Sequence, residues 1–292
     1  MIGVIGLGKM GRAIAARLEA CGEDIAVWNR TPDRNVGLAA KVLASPAELC
    51  SCGDVILSVL ADDAAIDAVY SGSDGILSTD LTGKTIVEFC TMSPKRARQL
   101  EGLVSDAGGA FLECPVGGTV GPAEKGALLG MAAGTKTAFK AVKPVLDKLT
   151  RRLEHVGPAG HGAAMKLAIN LPLMVYWSAL GEALGLAVAE GVDPTLALDI
   201  LADSSGAIGA AKARVPPICD MVVKGDPGGV NFALRTALKD MGEMVALAEG
   251  QGLPSEVIAA ARTRAARALE DGWGDRDASL VAAFGNTSKS RL

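Results

Sequence analysis

Lys166 and Asn170 stand four residues apart at the start of a long apolar stretch. Residues at that spacing share one face of a helix, so an ammonium and an amide would project together into whatever that helix lines. The ammonium is a charged donor, and the amide both donates and accepts. A lysine near a helix end can equally run its charge out to water, and the spacing leaves both readings open. The two histidines, His155 and His161, flank the run Gly157-Pro158-Ala159-Gly160 with no carboxylate beside them. They read as loop side chains rather than a catalytic pair.

A second constellation lies at the N-terminus, where a short β-prone run feeds directly into Gly6-Leu7-Gly8-Lys9-Met10-Gly11. In this G-x-G-x-x-G spacing, Gly6 permits a tight turn and Gly8 lets backbone approach a pyrophosphate at a helix N-terminus. Gly11 lets the helix pack closely on the strand. Three glycines alone make only a turn; the pattern binds a dinucleotide when a strand aims it and a helix receives the phosphates. At the end of the next strand come Asn29, Arg30 and Thr31, with Arg34 beyond and no carboxylate for a ribose 2′-hydroxyl. A guanidinium with amide and hydroxyl neighbours suits a 2′-phosphate, so NADP is expected, with NAD still possible. The plainer alternative is that Arg30 is a solvated loop charge.

The elements that must position these groups follow from periodicity. Apolar strand patterns at 2–5, 24–28, 55–60, 85–90, 110–114 and 128–132 alternate with helical spacing, which implies a parallel, doubly wound sheet. Past residue 160 the patterns are helical throughout, at 162–190, 194–203, 234–250 and 254–271. The expected fold is an α/β Rossmann-type domain (1–160), a long interdomain helix (161–190) and an all-α C-terminal domain (191–292). Lys166, Asn170 and Glu182 interrupt the long apolar run, so it lacks the roughly twenty uncharged apolar residues of a membrane span. Pro172 removes the bond to the carbonyl of Ala168 and favours a kink one turn beyond Lys166. Tyr176 and Trp177 read as packing residues, and the polar tail, 285–292, as disordered.

Composition narrows the function classes. The 292 residues carry a net charge of −4 with both signs mixed along the chain, giving no electrostatic reason to expect nucleic acid or a membrane as partner. Cys21, Cys50, Cys52, Cys90, Cys114 and Cys219 have no disulfide-framework spacing, and the start lacks a signal-peptide pattern. Reduced thiols in a cytoplasm follow. Cys50 and Cys52 have no second pair or histidine nearby, so no metal is expected. Apolar types make up 49% of the chain, and the long helix is apolar nearly all round, which implies cover from a homodimer or homotetramer.

Taken in order, residues 6–11, Asn29 to Thr31, the loop after Leu60, Thr91, the run 113–118, residues 160–170 and Phe232 with Lys239 and Asp240 resemble the β-hydroxyacid dehydrogenase family. That family includes 3-hydroxyisobutyrate dehydrogenase and the glyoxylate/succinic semialdehyde reductases. The resemblance spans nearly the whole chain and implies hydride transfer between a nicotinamide cofactor and a small carboxylate-bearing aldehyde, keto acid or β-hydroxy acid. It implies that Lys166 is the general acid/base and Asn170 its neighbour. Gly6 to Gly11, Asn29 to Thr31, Leu60, Thr91, Phe232 and Lys239 would hold the cofactor, and Gly117, Gly118 and Thr119 the substrate carboxylate, with Asp240 ordering the same wall.

Proton bookkeeping agrees with that role for Lys166, since a proton must reach or leave the oxygen of the carbon that exchanges hydride. Two departures qualify the resemblance. Gly117 stands where the family usually has Ser, leaving Thr119 as the nearby hydroxyl, and Pro172 lies inside the catalytic helix. Imine reductases share the architecture but typically carry another residue where Lys166 stands, and non-catalytic dinucleotide-binding relatives lose that lysine. Lys166 argues against both alternatives.

Overall fold

The computed structural model describes residues 1–32, 34, 35 and 37–286, and the chain divides into two compact units, Met1–Lys166 and Leu167 onward. The first unit begins β1 (Ile2–Ile5), α1 (Lys9–Ala20), β2 (Ile25–Trp28), β3 (Lys41–Val42), α2 (Pro46–Cys52), β4 (Val55–Ser58) and α3 (Asp63–Ser71). It continues with β5 (Thr85–Glu88), α4 (Pro94–Asp106), β6 (Ala110–Glu113), β7 (Val116–Gly117), α5 (Val120–Glu124), β8 (Leu128–Gly134), α6 (Lys136–Leu146) and β9 (Thr150–Gly157). β1 and β5 are buried along their whole length and β4 along most of it, as strands covered by helices on both faces must be. One face of the sheet packs Ile14 and Leu18 of α1 against Val4, Leu57 and Val87. The other packs Leu49, Ile66 and Leu100 against Ile5, Ile56 and Ile86.

Strand order is β3-β2-β1-β4-β5-β6, all parallel, the classical dinucleotide-fold order with its reversal between β1 and β4. Beyond β6 the sheet departs from the all-parallel expectation. β8 runs antiparallel to β6 and β7, which pair with it in succession, and β9 then lies parallel to β8. β9 was not anticipated. Its exposed Arg151 and Arg152 break the apolar pattern of a buried strand, as befits an edge. His155 lies in this strand and not in a loop: its Nε2 is 2.9 Å from the Gly134 carbonyl, and its ring packs on Phe139. His161 opens the helix that follows.

That helix, α7 (His161–Ala189), begins in the first unit, passes through Pro172 as one continuous element and enters the second. It is long and apolar enough to cross a membrane by length and composition, and 39% of its most apolar window is buried in the chain. The second unit adds α8 (Pro194–Asp203), α9 (Ala211–Lys224), α10 (Leu234–Gly250) and α11 (Glu256–Ala268). A π-type turn at Leu269–Trp273 and a 3-10 segment, Ala278–Ala283, close it. α9 was not anticipated, because Pro216 and Pro217 lie inside it and proline ordinarily ends a helix. α11 is shorter than the 254–271 pattern: Ser255 is its N-cap, and the π-type turn that takes over contains Gly272 at positive φ. The core gathers Trp177, Leu184, Leu198, Ile218, Met241, Ile258 and Leu280. The tail expectation concerns 285–292, of which 287–292 lie outside the described residues.

Candidate functional site

The glycine turn comes first. Gly6 has φ +91, and a Cβ on Gly11 would run into the Gly6 carbonyl oxygen, so the α1 helix can approach β1 only because residue 11 has no side chain. Gly8 differs. It caps α1 without contributing a side chain, it is exposed, and a Cβ there would meet no protein atom within 4 Å. The first turn of α1 is thus open on the side where its N-H groups and positive dipole end favour a phosphate. Lys9 is exposed and Met10 half-buried beside it.

Asn29 braces this turn. Its Oδ1 accepts the Leu7 N-H at 2.8 Å while its Nδ2 donates to the Thr31 carbonyl at 2.8 Å, so the amide ties the turn to the end of β2. Arg30 and Thr31 are exposed at that strand end. Leu60, after β4, touches the turn: a Cβ on Gly6 would lie 3.3 Å from its Cδ2. These groups follow the carboxyl ends of β1, β2 and β4, where open α/β sheets bind ligands. The open turn and the exposed guanidinium fit an adenine dinucleotide.

Thr91 follows β5 in a turn held from beneath. Glu88, fully buried, accepts the Cys90 N-H at 2.8 Å and the Tyr70 hydroxyl at 3.0 Å. Burial pushes its carboxyl up to about 7 against those hydrogen bonds. Its register partner on β6 is Glu113, also fully buried. Glu113 accepts three backbone N-H groups at the start of α7, from Gly160 (2.6 Å), Gly162 (3.0 Å) and Ala163 (3.1 Å). Burial lifts this carboxyl to about 7 too, opposed by those three bonds. Gly117 closes β7, Gly118 is exposed, and Thr119 is the N-cap of α5, its side chain making no capping bond.

Lys166 is the last residue of the first unit, half-buried on the second turn of α7. Asn170, one turn on in the second unit, is buried. Also in the second unit, Phe232 precedes α10, and that helix carries Lys239 and Asp240, with Lys239 Nζ 3.4 Å from Asp240 Oδ1. The approach to α10 is set by Asp277, buried, whose Oδ2 accepts the N-H groups of Asn231 (2.8 Å) and Phe232 (3.2 Å). Its Oδ1 accepts from Ser279 N and Oγ, and Arg214 lies 3.8 Å from Oδ2.

Glu113 and Asp277 were assigned no role from sequence. An acid inside the apolar strand pattern 110–114 and an acid two residues before a serine were the available signals.

The β-hydroxyacid resemblance is matched by comparison with known proteins. Residues 1–157 match the NAD binding domain of 6-phosphogluconate dehydrogenase, and 160–284 match the NAD-binding domain of NADP-dependent 3-hydroxyisobutyrate dehydrogenase. Glyoxylate/succinic semialdehyde reductase 2, chloroplastic, from Arabidopsis thaliana is 33% identical over 296 residues, covering 99% of this chain and 80% of its own. A 3-hydroxyisobutyrate dehydrogenase structure from Salmonella typhimurium superimposes with TM-score 0.86 at 24% identity, covering 97% of this chain and 99% of its own. A reductive aminase from Aspergillus terreus in complex with NADPH and ethyl levulinate shares the fold less closely, with TM-score 0.64 at 23% identity over 97% and 98% of the two chains. The sequence relationship, which runs through both units, makes this chain a member of the β-hydroxyacid dehydrogenase family and an NAD(P)-dependent oxidoreductase.

Proposed function

We propose that the chain is an NADP-dependent reductase of a small carboxylate-bearing aldehyde or keto acid, acting in reverse as a β-hydroxyacid dehydrogenase, with Lys166 as general acid/base. The observation that carries this reading is the placement of Lys166 on the second turn of α7, in the unit that bears the open glycine turn. The dinucleotide supplies or accepts the hydride at the carbonyl carbon. Lys166 delivers a proton to the oxygen of that carbon during reduction and removes it during oxidation. Asn170 cannot move protons usefully and orients substrate or amine by hydrogen bonding. Arg30 and Thr31 take the 2′-phosphate. Backbone N-H groups at Gly117 and Gly118, with the Thr119 hydroxyl, take the substrate carboxylate. Thr91, Phe232, Lys239 and Asp240 are assigned to the nicotinamide and substrate by family resemblance.

Lys166→Met keeps length and apolar packing while deleting the proton donor. Turnover should fall at least roughly a hundredfold with little change in NADPH affinity; a variant keeping more than about a tenth of wild-type turnover would move the proton to another group. A panel of glyoxylate, succinic semialdehyde, methylmalonate semialdehyde, tartronate semialdehyde and a cyclic imine separates carbonyl from imine reduction. NADPH should bind tighter than NADH by roughly ten- to a hundredfold, a preference that Arg30→Ala removes. Equal affinities in the wild type would overturn the NADP assignment.

A second copy of the chain is proposed to cover the apolar residues left exposed on the helical unit. Leu186 of α7 is 75% exposed, and Leu196 and Ile200 of α8 are 54% and 58% exposed. Light scattering should give a dimer or tetramer rather than 29.7 kDa.

A further inference from the structure

We propose that Glu113 is a positioning residue for catalysis, fixing the first turn of α7 and thereby the bearing of Lys166, one turn beyond the last N-H it holds. This rests on the reading of Lys166 as the proton donor. The first N-H groups of a helix have no intrahelical partners. Among the described residues, five helices have one or two of theirs taken up locally by the N-cap side chains of Ser45, Asp62, Ser93, Thr135 and Asp193. The start of α7 is held differently. Its N-H groups are gathered by a carboxylate from the end of a strand 47 to 50 residues earlier in the chain, so the helix is fixed to the sheet and not merely capped.

The contact is close because Gly162 permits it. A Cβ there would lie 2.7 Å from the Met131 carbonyl oxygen and 3.1 Å from Glu113 Cδ. Glu113 is itself held in register between Glu88 of β5 and Ala133 of β8. Rolling or sliding the helix start would break charge-assisted bonds in a buried setting, where an unpaired group is costly. A catalytic group displaced by about 1 Å can lose on the order of a hundredfold in rate, so a clamp three residues before Lys166 has leverage on turnover.

The clamp is also sensitive to protonation. Around the carboxyl stand Glu101 of α4, which adds like charge, the Cys114 thiol, pushed up to about 12 by burial and so neutral, and Glu88 on the adjoining strand. The Arg98 guanidinium packs at Gly160. As pH falls through about 7, Glu113 takes up a proton, and one oxygen that accepts an N-H becomes a donor facing one.

Glu113→Gln tests this. Expected are an NADPH dissociation constant within about twofold of wild type and a kcat lower by roughly tenfold, part of the hundredfold that misplacement can cost. The Gln variant should also lack a fall in kcat that wild type shows on acidification from pH 8 to 6. Retention of at least half the wild-type kcat at every pH in that range would overturn the proposal. So would a loss of NADPH affinity in step with kcat, the mark of a purely structural role. If Glu113→Gln does not fold, Gly162→Ala decides on the same readouts, because its methyl pushes the helix start off the carboxylate. Lys166→Met, assayed alongside, separates the two ideas. An active Lys166→Met overturns the assignment of Lys166, whereas an inactive one beside a fully active Glu113→Gln overturns the clamp alone.

Discussion

Glu113 in the first unit and Asp277 in the second each draw in backbone N-H groups from a segment about forty-five to fifty residues away in sequence, and each segment leads into a helix bearing a lysine of interest. Their electrostatics are opposite. Only backbone N-H groups pull Glu113 down, and burial wins, lifting it to about 7. Burial also works against ionisation at Asp277, but the Ser279 hydroxyl and N-H, the Asn231 N-H and the Arg214 charge together hold its carboxyl below the usual range. Neutral donors can order a buried acid without keeping it ionised, as at Glu113 and Glu88; at Asp277 a nearby cation adds to them. One anchor is permanently charged near neutrality, and the other is poised to change state there.

The largest effect should come from Asp277→Ala, which strands the buried Ser279 N-H and the part-buried N-H groups of Asn231 and Phe232 and leaves Arg214 without its anion. A loss of about 3 to 5 kcal/mol at neutral pH is expected, read from urea unfolding; a loss below about 1 kcal/mol would remove Asp277 as the anchor of the second unit. Next comes the pH dependence of Glu113. Its folded-state value lies above the ordinary 4.5, so between about 4.5 and 7 the folded chain binds a proton that the unfolded chain releases. Stability therefore declines as pH rises through that window, by about 3 kcal/mol at most. Glu113→Gln should flatten this slope, while the similar contribution of Glu88 cancels between the two proteins. Asp277 has the reverse sign: its contribution is complete above about 3.8 and is lost as pH falls through its lowered value. The smallest effect belongs to Arg214→Ala, about 0.5 to 1 kcal/mol at pH 7, which should move the acid limb of unfolding upward. An unchanged acid limb would mean that Ser279 and the backbone alone keep Asp277 ionised.

What could be read from the sequence was local. The turn from β1 into α1 was legible because Gly6 answers a positive φ and Gly11 a close approach to the Gly6 carbonyl, both within eleven residues, and α8 and α10 have the predicted bounds because periodicity, with the Asp193 cap at α8, is a local signal. α9 was hidden by its two prolines, and β9 by the exposed arginines of an edge strand. The antiparallel direction of β8 is a property of pairing, which no single segment encodes. Both anchors escaped for the same reason. A carboxylate serving N-H groups from another element looks, along the chain, like any acid at the end of a run. Asn29 was noticed as a polar neighbour of the cofactor, and its amide also braces Leu7 against Thr31, a contact the sequence does not announce.

The way β6 and β7 share one edge of β8 limits how this enzyme's specificity can change over time. Glu113 pairs with Ala133, Val116 with Gly130 and Gly117 with Leu129, so the two segments keep step through Cys114 and Pro115. A residue inserted or deleted between 113 and 117 would throw the far side out of step and turn alternate side chains to the wrong face. It would also move residue 113 away from the helix it holds. In the proposed carboxylate site Gly117 and Thr119 are open to exchange by substitution, whereas Gly118, at φ +126, favours glycine, and chain length can vary only after Gly117. Variants selected for new substrates should therefore accumulate point changes at 117 and 119 and length changes downstream, with Gly118 kept and the span from Glu113 to Gly117 constant in length.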